Sequence, residues 1–443
     1  GIAACVITGG ALAACVFGYL PVQMAIPCGV LYTVSVVLLI PSVLTPVTRF
    51  VVWMLRPLLG ASGQLAQRQI VRRRTRSTLT IGVLYVCLSA GLGLGTAILN
   101  NVEDVRNWQT RTFVGDFFVR ALQQNLATAD SAVMPESLKA DFSEIPGVTS
   151  VEAMRIVKDV TVSGQEVYAI LREYNLQEKG LLLDLKEGDP ADVRQRLLEG
   201  EVVLGTVLAH RKGVKVGDEV MLRTLQGVKP VRVAGITNDY IIGGLVVHMD
   251  YGYGKKLLGA EGADVYIVRA QEGAALASVD AGMKAICDKN GLLLQSFADL
   301  RQRLDNLMNG VVGGLWGIMT LGLVVAGFAV ANTLTMNVLE QTREIAMLRV
   351  VAMTRRQVRK TILSQAAILG VFGVTLGVLA GVVAAYTTNL CTPAVTGRPI
   401  EFVLSPALLS GTYVVALAII LIAAWLPARR ATRLNVLIAL QYE

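Results

Sequence analysis

The sequence predicts an α-helical transmembrane bundle with an inserted α+β extracytoplasmic domain, and three observations predict it. Of 443 residues, 53% are hydrophobic and only 17% charged, against about 25% charged in ordinary soluble domains. The apolar residues gather in blocks long enough to cross about 30 Å of hydrocarbon, which takes roughly 20 helical residues. The basic residues concentrate in short segments between those blocks, whereas the one long segment without such a block, 100–309, holds more acids than bases.

Six blocks are readable: 2–20, 28–43, 79–99, 311–338, 362–386 and 404–426. Residues 1–45 form a helical hairpin turned by Pro21 and Pro27, with the second helix ending at Pro41. Gly1 lies inside an apolar run with neither Met nor a basic segment before it, so a signal peptide is disfavoured and a fragment of a longer polypeptide is expected. Residues 46–78 are a cytoplasmic basic linker. Within 64–78, Leu65, Ala66, Ile70 and Val71 alternate with Gln and Arg, as suits a helix in the membrane interface. A span at 79–99 follows. Segment 100–309 is large enough for a soluble domain. It has β-branched runs at 151–167 and 201–208, turns at Gly217-Asp218 and Gly227, strand patterns at 231–236 and 265–268, and helical patterns at 274–289 and 296–308. The last runs straight into the span 311–338. Residues 310–443 make a three-helix transmembrane domain with a cytoplasmic coupling elbow and tail.

Net charge is +8, unevenly placed. The linker carries Arg49, Arg56, Arg68, Arg72, Arg73, Arg74 and Arg76 and no acid; the tail carries Arg429, Arg430 and Arg433. Basic excess marks the cytoplasmic side. Alternation through six spans then puts 100–309 outside and the C-terminus inside. The run Arg72, Arg73, Arg74 and Arg76 allows nucleic-acid binding. It abuts a span and lacks aromatic neighbours, so anionic headgroups, worth about 1 kcal/mol per basic residue near the surface, account for it better.

The elbow, 339–360, reads LEQTREIAMLRVVAMTRRQVRK between two apolar blocks. Arg or Lys at a bilayer centre costs roughly 2.5–3.5 kcal/mol each, so this segment lies outside the hydrocarbon. Ile345, Leu348 and Ala352 share one helical face. Thr354 followed by Gln357 fits a capping box. A short helix, a break near 352–353 and a second helix are expected.

Gly373, Gly377 and Gly381 make two overlapping GxxxG units, and Gly310, Gly313, Gly314 and Gly317 cluster in another span, as do Gly91, Gly93 and Gly95 in a third. Small residues let helices approach closely in lipid, which serves bundle packing or a dimer seam alike. The six cysteines do not resemble a disulfide framework, although Cys28 and Cys391 both sit near outer span ends and could meet. His210 and His248 are exposed or turn histidines, with no partners at metal-ligand spacing. No GxxxxGK[ST] phosphate loop occurs, and no acid or base stands mid-span, which disfavours a secondary transporter. Asn332 and Asn337 are expected to hydrogen-bond between helices.

Three stretches carry a resemblance: Ala331-Asn332-Thr333-Leu334, then Glu340-Gln341-Thr342-Arg343-Glu344-Ile345-Ala346-Met347-Leu348-Arg349, then Thr354-Arg355-Arg356-Gln357-Val358. They resemble the FtsX-like permease family of ABC transporters, as do the tail segments 427–431 and 439–443 and the basic entry 72–77. Segments 200–207 and 212–220 are similar to a MacB-type outer domain. Ala352 and Val436 stand where the family often has Gly and Pro. The hairpin 1–45 resembles the middle of longer members with two such halves, which implies that this is the C-terminal half.

The resemblance implies a multi-pass permease of the bacterial cytoplasmic membrane, its large domain outside. It implies no cofactor in this chain and a separate cytoplasmic ABC ATPase that uses ATP and magnesium. Glu340, Arg343, Glu344, Ile345, Leu348 and Arg349 would contact that ATPase. Export or extraction of a lipid, lipoprotein, peptide or small toxic compound would follow from movement of the outer domain. Further partners would be membrane lipid, a second permease half or second copy, and an exported fusion protein, with no nucleic acid. The alternative is a signalling subunit that regulates a cell-wall hydrolase or sensor kinase.

Overall fold

In chain order the elements are α1 Ile2–Val16, α2 Ala25–Met54, α3 Arg56–Leu59, α4 Ala61–Arg72, α5 Arg74–Thr112, β1 Phe117–Ala121, α6 Leu138–Ser143, β2 Val148–Val162, β3 Gln165–Arg172, β4 Asp184–Glu187, α7 Pro190–Leu198, β5 Val202–Gly205, α8 Thr206–Lys212, β6 Glu219–Thr224, β7 Gly227–Asn238, β8 Val246–Asp250, α9 Tyr251–Leu258, β9 Val265–Ala270, α10 Leu276–Asn290, β10 Leu292–Ser296, α11 Phe297–Glu340, α12 Thr342–Val350, α13 Arg355–Thr396 and α14 Pro406–Thr432. This computed structural model describes residues 1–17, 19–122, 133–174, 181–224, 227–350 and 353–432. The chain divides into a helical unit (Gly1–Asn101, Gly310–Ala394 and the described residues from Pro399 on) and an α+β unit (Val102–Asn309 with Val395–Arg398).

Five helices in the described residues are long and apolar enough to cross a membrane: Val22–Met54, Arg74–Thr112, Phe297–Glu340, Arg355–Pro393 and Pro406–Thr432. The first expected span is shorter. Helix α1 has 15 residues, about 22 Å at 1.5 Å per residue. Pro41 does not end its helix either; α2 runs through Pro41 and Pro46 to Met54. Each proline removes one backbone hydrogen bond, and breaking the helix in an apolar medium would leave several groups unsatisfied. Pro21 precedes a 3₁₀ turn at Val22–Met24. Pro27 lies in the first turn of α2, where its missing N–H is no loss.

The core of the helical unit is a set of stripes at helical spacing. Ala326, Val330, Leu334 and Val338 on α11 meet Ala416, Ile420, Ala424 and Ala428 on α14, together with Leu84 and Leu88 of α5 and Val358, Ile362 and Ala366 of α13. A second cluster ties Ile40, Leu44, Val51 and Val52 of α2 to Ala66 and Ile70 of α4 and to Ile368, Leu369 and Phe372 of α13. The helix expected over 64–78 is thus two helices. Arg73, at φ −114° and ψ 56°, separates α4 from α5. Ala66 and Ile70 are what turn α4 back against the bundle.

Gly373, Gly377 and Gly381 of α13 lie against Leu84, Leu88 and Leu92 of α5. A Cβ on each glycine would stand 2.7–2.8 Å from a leucine side-chain atom. The three glycines and three leucines interlock at one-turn intervals, a close helix approach that only the smallest residue permits. Gly310, Gly313, Gly314 and Gly317 have no atom within 4 Å of a built Cβ, so these four do not serve packing within the described chain.

In the α+β unit the described strands form one ten-stranded mixed sheet in the order β10-β1-β9-β2-β3-β8-β5-β7-β4, with β6 pairing β2 and β7. The β-branched run over 151–167 falls in the hairpin β2–β3. Ser163 and Gly164, both at positive φ (47° and 77°), make its two-residue turn, as right-handed strand twist favours. The run 201–208 is strand only to Gly205. There a Cβ would meet the Gly244 carbonyl oxygen at 2.4 Å, and α8 begins at the next residue.

His248 is not exposed. It lies on β8 with its side chain 5% accessible, and its Nε2 is 2.8 Å from an Asp239 carboxylate oxygen. His210 is exposed at the end of α8. Nearby, buried Asp104 accepts hydrogen bonds from Asn238 at 3.0 Å and Tyr240 at 2.6 Å. Burial and that carboxylate push the Tyr240 hydroxyl pKa up, and the Arg398 guanidinium stacks 3.6 Å from the same ring. The connection between α13 and α14 thereby supplies a cation to the α+β unit.

Replacing Gly377 by Leu should overpack the α5–α13 contact at a cost of roughly 1–3 kcal/mol. A lowered thermal midpoint of the detergent-solubilised chain reads this; an unchanged midpoint would mean that α5 and α13 do not approach as described.

Candidate functional site

The elbow between α11 and α13 is built as a short helix clamped from one side. α11 ends at Glu340, and Thr342 begins α12, with its hydroxyl donating back to the Leu339 carbonyl at 2.7 Å. Ile345 and Ala346 are buried, and Ile345 packs in the cluster that holds Val338, Val358 and Ile362. Residues 351 and 352 lie outside the described residues, so the face shared with Ala352 is not described there. At Thr354 the capping box is formed. The Thr354 N–H donates to Gln357 Oε1 at 2.8 Å, and the Gln357 N–H donates to Thr354 Oγ1 at 3.3 Å. Two of the donors orphaned at the start of α13 are thus satisfied.

A second clamp is ionic. Glu340 pairs with Arg73 and, at 2.5 Å, with Arg76, while Glu344 pairs with Arg72 at 2.7 Å. Three of the arginines expected to meet lipid headgroups therefore meet the elbow's own carboxylates; of the four, Arg72 and Arg74 are exposed. The Glu340 side chain is 27% exposed and those of Arg73 and Arg76 are 30% and 38%, so water screens these pairs only in part.

A polar layer lies just inside this clamp. Gln365 donates to Gln69 across α13 and α4, and the hydroxyls of Thr80 and Thr333 stand 2.6 Å apart across α5 and α11. These pairs make the interhelical bonds expected of the two asparagines. Asn332 is exposed, and Asn337 is buried with an unpartnered Oδ1. Asn337 lines a cavity of about 30 Å³ with Gln69, Gln341 and Gln365, room for about one water.

Of the six residues expected to face an ATPase, Glu340 and Glu344 carry the ion pairs and Ile345 points into the bundle, because an apolar side chain at that position completes the core. Arg349 is half-buried, and the side chains of Arg343 and Leu348 lie outside the described ones. Among the described side chains of α12, the most exposed hydrophobic ones are Met347, at 47%, and Val350, at 65%. Their spacing of three residues on a short helix is the signal that could have found them.

A larger apolar cavity, about 500 Å³, lies elsewhere in the helical unit. It is lined by α1, α2, α5 and α13 and includes Val34, Val86, Ala90 and Val383. Two of its hydroxyls, those of Thr33 and Thr387, donate to carbonyls of their own helices at 2.9 and 2.8 Å.

Long apolar helices joined by a charged elbow, with an α+β unit inserted between them in sequence, have the architecture of a multi-pass membrane protein. Residues 316–436 match the FtsX-like permease C-terminal family. The chain is 22% identical over 344 residues to an uncharacterised ABC transporter permease of Mycobacterium tuberculosis, covering 76% of this chain and 40% of that protein. It is 23% identical over 415 residues to an uncharacterised ABC transporter permease of Methanocaldococcus jannaschii, covering 85% and 97%. A macrolide export ATP-binding/permease protein MacB of Agrobacterium fabrum is 22% identical over 402 residues, covering 85% and 60%. The chain therefore spans less than two thirds of two of these three relatives. Among solved structures, the periplasmic region of MacB from Actinobacillus actinomycetemcomitans matches at 14% identity with a TM-score of 0.32, covering 44% of this chain and 95% of that one. Over residues 316–436 the chain is thus similar to FtsX-like permeases, and over most of its length to ABC transporter permeases.

Reversing Glu340 to Arg should lower the thermal midpoint, because it removes two ion pairs and adds a like charge. Exposed pairs are worth about 0.2–1 kcal/mol each, and these are partly shielded. Adding Arg73→Glu and Arg76→Glu should restore most of the loss. A triple variant no more stable than Glu340→Arg alone would show that the clamp is not electrostatic.

Proposed function

We propose that this chain is the membrane permease of an ABC system and that a separate cytoplasmic ATPase, which binds ATP and magnesium, docks on the elbow. The observation that carries this reading is the two-sided character of α12. One side is fixed by Ile345, Ala346 and the Glu340 and Glu344 ion pairs, and the other offers Met347 and Val350 outward. A nine-residue helix is marginal alone, so an exposed apolar pair on it favours a protein partner. Arg343, Leu348 and Arg349 remain part of the proposed contact.

Force applied to α12 passes into α11 and α13, the helices it joins. Helix α11 is continuous for 44 residues, from Phe297 in the segment 100–309 to Glu340 at the elbow; helix α5 is continuous for 39. Unbroken helices suit transmission of movement to the α+β unit, which we place outside the cytoplasmic membrane on the basic character of 46–78 and 339–360. Arg74, and Arg72, Arg73 and Arg76 beyond their carboxylate partners, would still favour anionic lipid. The movement would export or extract a lipid, lipoprotein, peptide or small toxic compound. Macrolide export in the name of the Agrobacterium relative accords with the last of these.

Met347→Asp with Val350→Asp should abolish copurification of the co-expressed cognate ATPase while membrane insertion persists. Undiminished copurification would reject α12 as the docking element.

A further inference from the structure

Three of the six cysteines, widely separated in sequence, converge in the helical unit. Cys15 stands one residue before the end of α1, Cys28 in the first turn of α2, and Cys391 in the last turns of α13. With Ala25 and Val22 they form a small cluster. Cys28 packs against the buried cluster that holds Cys15 and Cys391. The Cys391 thiol donates to the Val22 carbonyl at 3.4 Å. All three are free thiols; Cys15 and Cys391 are buried and Cys28 is half-buried.

We propose that Cys15 and Cys28 are a thiol–disulfide modification site, with Cys28 the entry thiol and Cys15 the resolving one. The co-reactant is a small disulfide such as oxidised glutathione. The Cys28 thiolate attacks one sulfur of that disulfide, whose S–S bond breaks, and one small thiolate leaves. The Cys15 thiolate then attacks the Cys28 sulfur of the mixed disulfide; the Cys15–Cys28 bond forms as the second small thiolate leaves. The two protein thiol protons end on the two released thiols or in water, and the two electrons reside on those thiols. Exposure orders the steps, since only Cys28 is accessible enough to begin them. The hydrogen bond that engages the Cys391 thiol with the Val22 carbonyl leaves Cys15 as the resolving group. The product bond staples α1 to α2 across the turn at Val22–Met24. The site does not depend on the permease reading or on which side of a membrane the cluster faces.

The test uses the full chain in lipid nanodiscs, treated with oxidised glutathione, acid-quenched, alkylated under denaturing conditions and mapped by proteolysis and mass spectrometry. The expected result is a peptide pair joined through Cys15 and Cys28 in most molecules, while Cys5, Cys87 and Cys287 are alkylated. Cys391→Ser should leave that link intact. Cys15→Ser should instead accumulate a glutathione adduct on Cys28. Alkylated Cys15 and Cys28 in the wild-type chain, or a dominant Cys28–Cys391 link, would overturn the assignment. The wild-type map decides the matter even if a variant fails to fold.

Discussion

Charge beside hydrocarbon must be paired or wet, and the helical unit is arranged around that constraint. The linker brings seven arginines to the ends of its spans without a single acid. Three of them find carboxylates 264 or more residues away in sequence, on the last turn of α11 and the first turn of α12. Each pairing settles two geometries at once. It stops the basic junction between α4 and α5 from repelling itself, and it holds the elbow against that junction. The Gln69–Gln365 and Thr80–Thr333 bonds lie in the next layer and obey the same rule for uncharged groups, since a buried polar atom without a partner costs about 1–3 kcal/mol.

Much of this arrangement was legible in the sequence, because one-dimensional signals report local physics well. Apolar block length located the five long helices. Thr354 and Gln357 announced their own hydrogen bonds, since a capping box is decided by residues three apart. The spacing of Gly373, Gly377 and Gly381 marked one face of α13, although the sequence could not say that Leu84, Leu88 and Leu92 would fill it. What could not be read was partnership over distance. Arg72, Arg73 and Arg76 look like headgroup ligands when viewed alone, because nothing local reveals Glu340 and Glu344. Ile345 looks like a docking residue for the same reason: its inward direction is fixed by Val358 and Ile362, which come after the turn. Pro41 misled in the other direction. A helix breaker in water is tolerated when lipid offers the backbone no other partner.

The α+β unit shows the same division. Strand content followed from β-branched runs, but the hairpin inside 151–167 depended on Ser163 accepting a left-handed conformation, which composition does not signal. His248 was misread because burial on a central strand, with Asp239 as its partner, depends on the order of strands in the sheet rather than on neighbouring sequence.

These contacts also determine what an outside partner can do with the elbow. A short helix that owed its stability to its own backbone would unravel under load, because nucleation is unfavourable and few bonds follow it. Helix α12 does not rely on its backbone alone. Ile345 and Ala346 are buried in the bundle, Glu340 and Glu344 reach the α4–α5 junction, and the capping box fixes the next helix start. Under the proposed docking, a load on Met347 and Val350 would meet a helix held on its other side by Ile345, Ala346 and the Glu344–Arg72 pair. Helices α11 and α13 flank α12 in the chain, and α5 interlocks with α13 through Leu84, Leu88 and Leu92 against Gly373, Gly377 and Gly381, so under the proposed docking a displacement of α12 would pass to all three.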